Sequence, residues 1–365
     1  MIKNIPWWSP QITKQEHTLV NDVLNSNYVN EGEVTTEFEQ EVARLLDVKH
    51  AIATTSGTAA IFLALAGVGV GPGDEVIVPD VTFIATANSV MLTGAKPVLV
   101  DIDPLTLNMD LESMSMAITD RTKAIVPVHV SGRSANLMAI KEIAQSHGIA
   151  VVEDAAEAFM SALDGKYLGT IGNVGCLSFS PNKVITTGQG GMALTNDDVL
   201  HVRLRELKDH GRPIRGTGGA DIHHSVGYNF KLTNLQSAVG LGQLTALHQR
   251  LERQKQIYRI YAENLRGLPG ITLPGFHLET GEVPLWTDAI VERRNELDQY
   301  LQQRGAHCRR FWFPIHTQAP YRLSDNNFPN STKVMPQAIW LPSAFTLSDD
   351  DIMTVCSWIR EFVGI

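Results

Sequence analysis

Between residues 51 and 195 the chain alternates short apolar runs with segments of helical period. The runs at 51–54, 75–79, 97–102, 124–130, 150–154, 175–180 and 191–195 carry strand character, and helical patterns cover 58–67, 85–92, 110–118, 135–146 and 197–207. Ile77-Val78 and Val98-Leu99-Val100 are continuously apolar, as strands buried on both faces are. The alternation predicts an α/β fold: a mostly parallel, mixed sheet sandwiched by helices. Upstream, Thr13-Lys14-Gln15-Glu16 behind Ile12 has the spacing of a capping box and predicts a helix start. After Asn234 the pattern changes to one long helical stretch, 235–265, with Arg250, Arg253, Lys255 and Arg259 among apolar positions. Those charges suit either a surface helix or a link between domains. From about Gly267 a smaller α+β unit follows, with a strand at 286–291 and helices at 294–304 and 349–362. Two domains are expected, 1–245 and 246–365.

Composition removes several classes. With 365 residues, 44% hydrophobic and 19% charged, the chain has the make-up of a globular protein that can bury a core without staples. A net charge of −9 and a pI near 5.7 argue against nucleic acid or an anionic membrane as the main partner. Cys176, Cys308 and Cys356 are scattered with no CxxC pair, so neither a disulfide framework nor a structural zinc site is expected, and a cytoplasmic location is. The start through Trp7-Trp8 lacks the apolar core of a signal peptide, and 59–70 is too short and too glycine-broken to span a bilayer. The glycine-rich loop 212–224 ends in His223-His224 without an acidic or cysteine partner at ligand spacing. It reads as a substrate-side loop, not a metal site.

The chemistry concentrates in Ser178-Phe179-Ser180-Pro181-Asn182-Lys183-Val184-Ile185-Thr186-Thr187-Gly188-Gln189-Gly190-Gly191-Met192. A lysine enclosed between apolar runs and a glycine-rich turn is desolvated, which disfavours the ammonium and frees the amine as a nucleophile. Alone, Lys183 could equally face water at the mouth of a hairpin. Ser56-Gly57-Thr58 lies between a strand and a helix, where backbone N–H groups and hydroxyls make an anion cradle or a plain helix cap. Asp154 ends an apolar run, where a carboxylate can hold a cationic ring nitrogen protonated. Schiff-base lysine, ring-nitrogen carboxylate and phosphate cradle together describe a pyridoxal 5'-phosphate site. Phe83 could stack on that ring or belong to the core. His129 reads first as a buried, satisfied histidine, and Glu157, three residues past Asp154, as a solvated acid or a partner for a ring substituent.

From about Gly32 onward the chain resembles the DegT-type family of nucleotide-sugar aminotransferases, pyridoxal phosphate enzymes of fold type I. The matching segments include Thr55-Ser56-Gly57-Thr58-Ala59-Ala60, Gly71-Pro72-Gly73-Asp74-Glu75-Val76-Ile77-Val78-Pro79, Val152-Glu153-Asp154-Ala155-Ala156-Glu157-Ala158 and Gly227-Tyr228-Asn229-Phe230-Lys231-Leu232-Thr233-Asn234. Phe313-Pro314-Ile315-His316, Pro320-Tyr321 and Leu341-Pro342 fit as well. Within the family, Asn182-Lys183 and Thr186-Thr187-Gly188 are similar to the perosamine synthase branch. The resemblance implies that Lys183 carries the cofactor and later shuttles a proton, and that Asp154 pairs with the ring nitrogen. It implies further that Gly57, Thr58 and Ser178 bind the phosphate, with Ser56 beside them, that Phe83 stacks on the ring, and that Glu157 lies near the ring oxygen. Asn229 would reach the phosphate site of a second subunit in a homodimer. Arg309 and His316, with His129, would line the substrate side. The implied reaction moves an amino group from L-glutamate to a nucleotide-linked 4-keto-6-deoxy sugar, in amino-sugar or surface polysaccharide synthesis.

Other readings stay open at this point: amination at the 3-keto position or of another keto sugar, or a sugar dehydratase of the same family. Dehydratases that remove the 3-hydroxyl carry histidine where this chain has Lys183. A cysteine desulfurase would have only Cys308 to offer, and a DNA-binding regulator would need a module for which 1–13 and 362–365 leave no room. The chain departs from the family's pattern at Gln189, usually glutamate, and at Val130-Ser131-Gly132-Arg133, where a bulky Leu-Tyr-Gly and a frequent glutamine are expected.

Overall fold

The computed structural model describes residues 4–213 and 221–365. Its centre is a mixed sheet of seven strands: β1 (His50–Thr54), β2 (Glu75–Pro79), β3 (Lys96–Val100), β4 (Thr122–Ile125), β5 (Ala150–Asp154), β8 (Val174–Ser178) and β9 (Gly191–Thr195), with β6 (Ala162–Leu163) and β7 (Lys166–Tyr167) forming a separate hairpin. The spatial order is β1-β9-β8-β5-β4-β2-β3. Strands β3, β2, β4, β5 and β8 run parallel, and β9 turns back antiparallel between β8 and β1.

Strand parity builds the two layers of core. Ala51, Ala53, Ile77, Val151, Leu177 and Met192 join one cluster. Their neighbours in sequence, Ile52, Val76, Val78, Val152, Cys176 and Ala193, join the other. Successive side chains of a strand point to opposite faces, so uninterrupted apolar runs can feed both. On the first face lies α2 (Glu33–Leu45), through Phe38 and Val42. On the second lies α3 (Gly57–Gly67), whose residues from Ala59 through Leu65 are all buried. A helix apolar all round must be enclosed, and α3 is, between the sheet, α4 (Ala85–Leu92) and α7 (Asp198–Lys208). The remaining crossover helices are α5 (Leu111–Met116) and α6 (Leu137–Ser146). The expected capping box is present: Thr13 accepts from Gln15 N, Glu16 reaches back to Thr13 N at 2.8 Å, and α1 (Lys14–Ser26) follows.

The single helix expected over 235–265 is two: α8 (Asn234–Leu244) and α9 (Leu247–Leu265). The chain turns at Thr245-Ala246, where the two N–H groups bond back to Gly242 and Gln243. The break lets Arg250 reach under the first helix to Gln243 Oε1 at 2.5 Å and to the Val184 carbonyl at 3.1 Å. Arg250 is therefore buried, not a surface charge. Beyond α9 a four-stranded antiparallel sheet, β10-β11-β13-β12, comprises β10 (Ile271–Thr272), β11 (Thr287–Val291), β12 (Arg309–Arg310) and β13 (Ala338–Leu341). With α10 (Arg294–Gln303), α11 (Pro329–Val334) and α12 (Asp349–Val363) it forms the C-terminal unit. Among the described residues no helix is long and apolar enough to cross a membrane, and no cluster of three His, Cys, Asp or Glu side chains could hold a metal. The loop 212–224 lies partly outside the described residues.

Candidate active site

The carboxyl ends of β1, β2, β5 and β8 open onto one cavity of about 360 Å³, the place where ligands of such sheets bind. Ser56, Gly57, Thr58, Phe83, Asp154, Glu157, Ser178, Lys183 and Arg309 all line it. Asn229, His129 and His316 do not.

Lys183 lies in the connection between β8 and β9, so the hairpin geometry was correct and the solvent-facing alternative was not. Its side chain is 11% exposed, and Nζ is 3.2 Å from Glu157 Oε1 and 5.0 Å from the centre of the Trp286 ring. Two long-range contacts and one within it fix the turn: Trp8 Nε1 donates to the Pro181 carbonyl at 3.0 Å, Arg250 to the Val184 carbonyl, and the Thr187 N–H to Phe179 O. Gln189 contributes its backbone: its carbonyl accepts from Thr187 Oγ1 and Gln236 Nε2, each at 2.8 Å. Glutamine in place of glutamate therefore leaves those bonds intact.

The anion cradle forms where α3 meets β8. Ser56 caps the helix by accepting from Ala59 N at 3.1 Å, leaving the Gly57 and Thr58 N–H groups with no intrahelical acceptor. A Cβ on Gly57 would sit 2.9 Å from Ser178 Cβ, and one on Gly191 would sit 2.3 Å from the Ser56 carbonyl oxygen. Only glycine at both positions lets helix start and strand close to this distance. Gly57→Ala is expected to wedge the cradle open and lower affinity for pyridoxal phosphate about tenfold or more. Equilibrium dialysis of the variant against the cofactor checks this.

Asp154 is fully enclosed at the end of β5. Thr86 Oγ1 donates to its Oδ2 at 2.7 Å and Ala156 N to its Oδ1 at 3.2 Å. Burial raises its pKa above the ordinary carboxylate range, against the pull of the Thr86 bond. Burial raises that of Glu157 as well, opposed by Lys183 and by the Ser131 N–H. A desolvated carboxylate and a helix start with free N–H groups on the wall of one cavity fit a group that carries both a cation and a phosphate, as a phosphorylated pyridinium does. Phe83, 54% exposed, also lines the wall.

Two expected substrate residues are engaged elsewhere. His129 is fully buried, with Nε2 3.0 Å from Glu153 Oε2 and Nδ1 accepting from Ala135 N at 3.2 Å. Both ring nitrogens are satisfied, so its side chain is a strut; its backbone N–H bonds the Asp154 carbonyl. His316, also fully buried, is held by Asp80 at 2.6 Å and stacked on Phe328. Arg309 does face the cavity, with its guanidinium over Trp7 at 4.8 Å and not against a carboxylate. Asn229 is exposed outside the cavity of its own chain. Sequence reasoning missed Thr86, Trp286, Trp312 and the Trp7-Trp8 arm. No local pattern marks Thr86 or Trp286, whereas two adjacent tryptophans near the start were a visible signal.

The fold and the sequence together define the class: the protein is a pyridoxal phosphate-dependent sugar aminotransferase. The chain belongs to the DegT/DnrJ/EryC1/StrS aminotransferase family, whose profile matches residues 10–360. It is 36% identical to the GDP-perosamine synthase of Escherichia coli O157:H7, over 99% of each chain. It is also 36% identical to that of Caulobacter vibrioides, over 97% of this chain and 96% of the relative. Among solved structures it superposes on DesV of S. venezuelae, determined in complex with a ketimine intermediate. That match has a TM-score of 0.92 and 33% identity, covering 96% of this chain and 95% of the other.

Proposed function

We propose that the enzyme transfers the amino group of L-glutamate to a nucleotide-linked 4-keto-6-deoxy sugar, as a perosamine synthase would. The observation that carries the reading is one cavity holding Lys183 beside Glu157, Asp154 under Thr86, and an anion cradle at Gly57. The full-length similarity to proteins named GDP-perosamine synthase supports the choice of sugar.

In this reading Gly57, Thr58 and Ser178 bind the cofactor phosphate, Asp154 holds the ring nitrogen protonated, Phe83 stacks on the ring and Glu157 lies near its oxygen. The cofactor would supply an electron sink that makes the alpha proton of the amino donor acidic and, in the second half-reaction, lets the former carbonyl carbon of the sugar take up a proton. Lys183 is the nucleophile that carries the cofactor at rest. Its amine, when free, would serve as the general base and acid that moves the proton, as a cavity-facing amine held by Glu157 can. Trp286 and Glu157 keep Nζ turned inward. Arg309, the cation on the open side, suits a donor carboxylate or a diphosphate.

We place the protein in the cytoplasm, in keeping with three unpaired cysteines. We divide it at 245/246, in keeping with a seven-stranded sheet before that point and a four-stranded one after it. A homodimer with shared sites suits the exposure of Asn229 beside Val226 and Tyr228, and surface polysaccharide synthesis suits the amino sugar product. The test loads the enzyme with amine from L-glutamate and offers a panel of nucleotide keto sugars. Rapid return of the resting visible spectrum with a GDP-linked 4-keto-6-deoxy sugar is expected. Return only with a 3-keto sugar, or with none, would overturn the substrate reading.

A further inference from the structure

Ser131 has a left-handed backbone, φ 54° and ψ 17°, although it is not glycine. Four contacts hold it there. Its N–H donates to Glu157 Oε2 at 2.9 Å, and its hydroxyl donates to Asp288 Oδ1 at 2.8 Å while accepting from Trp340 Nε1 at 3.3 Å. Its carbonyl accepts from Leu285 N at 2.8 Å. The other oxygen of Asp288 takes the guanidinium of Arg133, whose Nε donates to Thr106 O at 2.9 Å and whose plane lies over Phe276. Arg133 and Asp288 are both buried, at 2% and 1% exposure. A non-glycine residue persists in this conformation only where its surroundings over-determine it, and such residues cluster at functional sites.

The contacts form one line. Asp288 belongs to β11 of the small sheet and Arg133 follows the end of β4. Between them Ser131 reaches Glu157, which in turn meets Lys183 Nζ at 3.2 Å. Ser131 and Arg133 act as a matched pair around one aspartate, each bonding a different oxygen of Asp288. We propose that Arg133 and Asp288 are positioning residues: acting through Ser131, they set the Glu157 carboxylate against Lys183 and make that setting depend on how the small sheet is seated. The charges facing Glu157 are Lys183 from the β8–β9 connection and Asp154 from β5, with the His129–Glu153 pair behind Asp154. The inference rests on Lys183 as the reacting amine, an assignment tested separately by its own substitution.

Three variants test it in the full-length holoenzyme: Asp288→Asn, Ser131→Ala, and the double variant Arg133→Met/Asp288→Asn, which leaves no buried charge unpaired and so keeps a folded protein in hand. Each is expected to lower kcat about tenfold or more, with KM for the amino donor changed less than about threefold, because Glu157 is displaced and not removed. The pH midpoint of the holoenzyme's visible absorbance should move by about half a unit or more. Independently of turnover, the rate at which a lysine-directed reagent labels Lys183 in the cofactor-free protein should change at least about threefold, read by mass spectrometry of the Lys183 peptide. Wild-type midpoint and labelling rate in the folded double variant and in Ser131→Ala would overturn the proposal. A loss of stability alone, with both readouts unmoved, would do so equally. The labelling readout stands even where turnover by Lys183→Ala has removed the assignment beneath it.

Discussion

Lys183→Ala is expected to abolish turnover, a loss of at least about 10⁴-fold, in a protein that still folds and still binds its cofactor without a covalent link. The loss is this large because one amine is assigned two tasks, nucleophile and proton carrier, and among the described residues no other lysine lines the cavity. Folding should survive for an electrostatic reason. The partner left behind is Glu157, whose pKa burial already raises and Lys183 opposes. Without that opposing charge the carboxyl takes up a proton instead of remaining as a buried unpaired anion, which limits the penalty. The variant should release its cofactor on dialysis and show none of the resting visible band. Multiple turnovers by a homogeneous preparation would sink the lysine assignment, and an unfolded product would contradict the argument about Glu157.

How much of this could be read in the chain depends on the range of the interaction. Strand and helix runs through residue 195 were legible because burial on both sheet faces writes itself as continuous apolar residues. The observed strands differ from the expected ones mainly at their ends, as β3 does at Lys96–Val100. That Lys183, Asp154 and Gly57 share one cavity could be anticipated because each sits beside its own local signal: a glycine-rich turn, a strand end, a helix start. The break at Thr245-Ala246 was not, since neither residue disrupts a helix by itself. What makes it informative is Arg250 reaching back to Gln243, a contact settled by packing.

The supports of the site were hidden for the same reason. Thr86 lies 68 residues from Asp154, and Ser131 lies 157 from Asp288. His129 and His316 were placed on the substrate side by the family resemblance, although His129 by itself reads as a buried, satisfied histidine. Each is instead held by a buried carboxylate, Glu153 and Asp80, in a direction that no spacing rule encodes.

Asp154→Asn separates the electrostatic role of the site from its shape, and its expected effects run in opposite directions with and without cofactor. Asparagine keeps the volume and can still accept from Thr86, but it cannot balance a positive ring nitrogen. With cofactor present, loss of that charge should lower kcat by about 10² to 10³-fold and weaken cofactor binding, the scale for removing one preorganised charge partner from a dry site. Without cofactor the sign reverses. Burial raises the Asp154 pKa above its ordinary value of 3.8, so the folded protein holds more protons than the unfolded chain in the window above that value. Stability from this group is therefore fully present below pH 3.8 and is lost as pH rises through the raised value. The asparagine variant has no such proton to lose. Melting of the two cofactor-free proteins between pH 4 and pH 8 should show the wild type losing ground to the variant as pH rises, and adding pyridoxal phosphate should restore the advantage to the wild type alone. Near-normal turnover by the variant would mean that the ring nitrogen is not paired at Asp154, and parallel melting curves at every pH would mean that burial does not raise the Asp154 pKa.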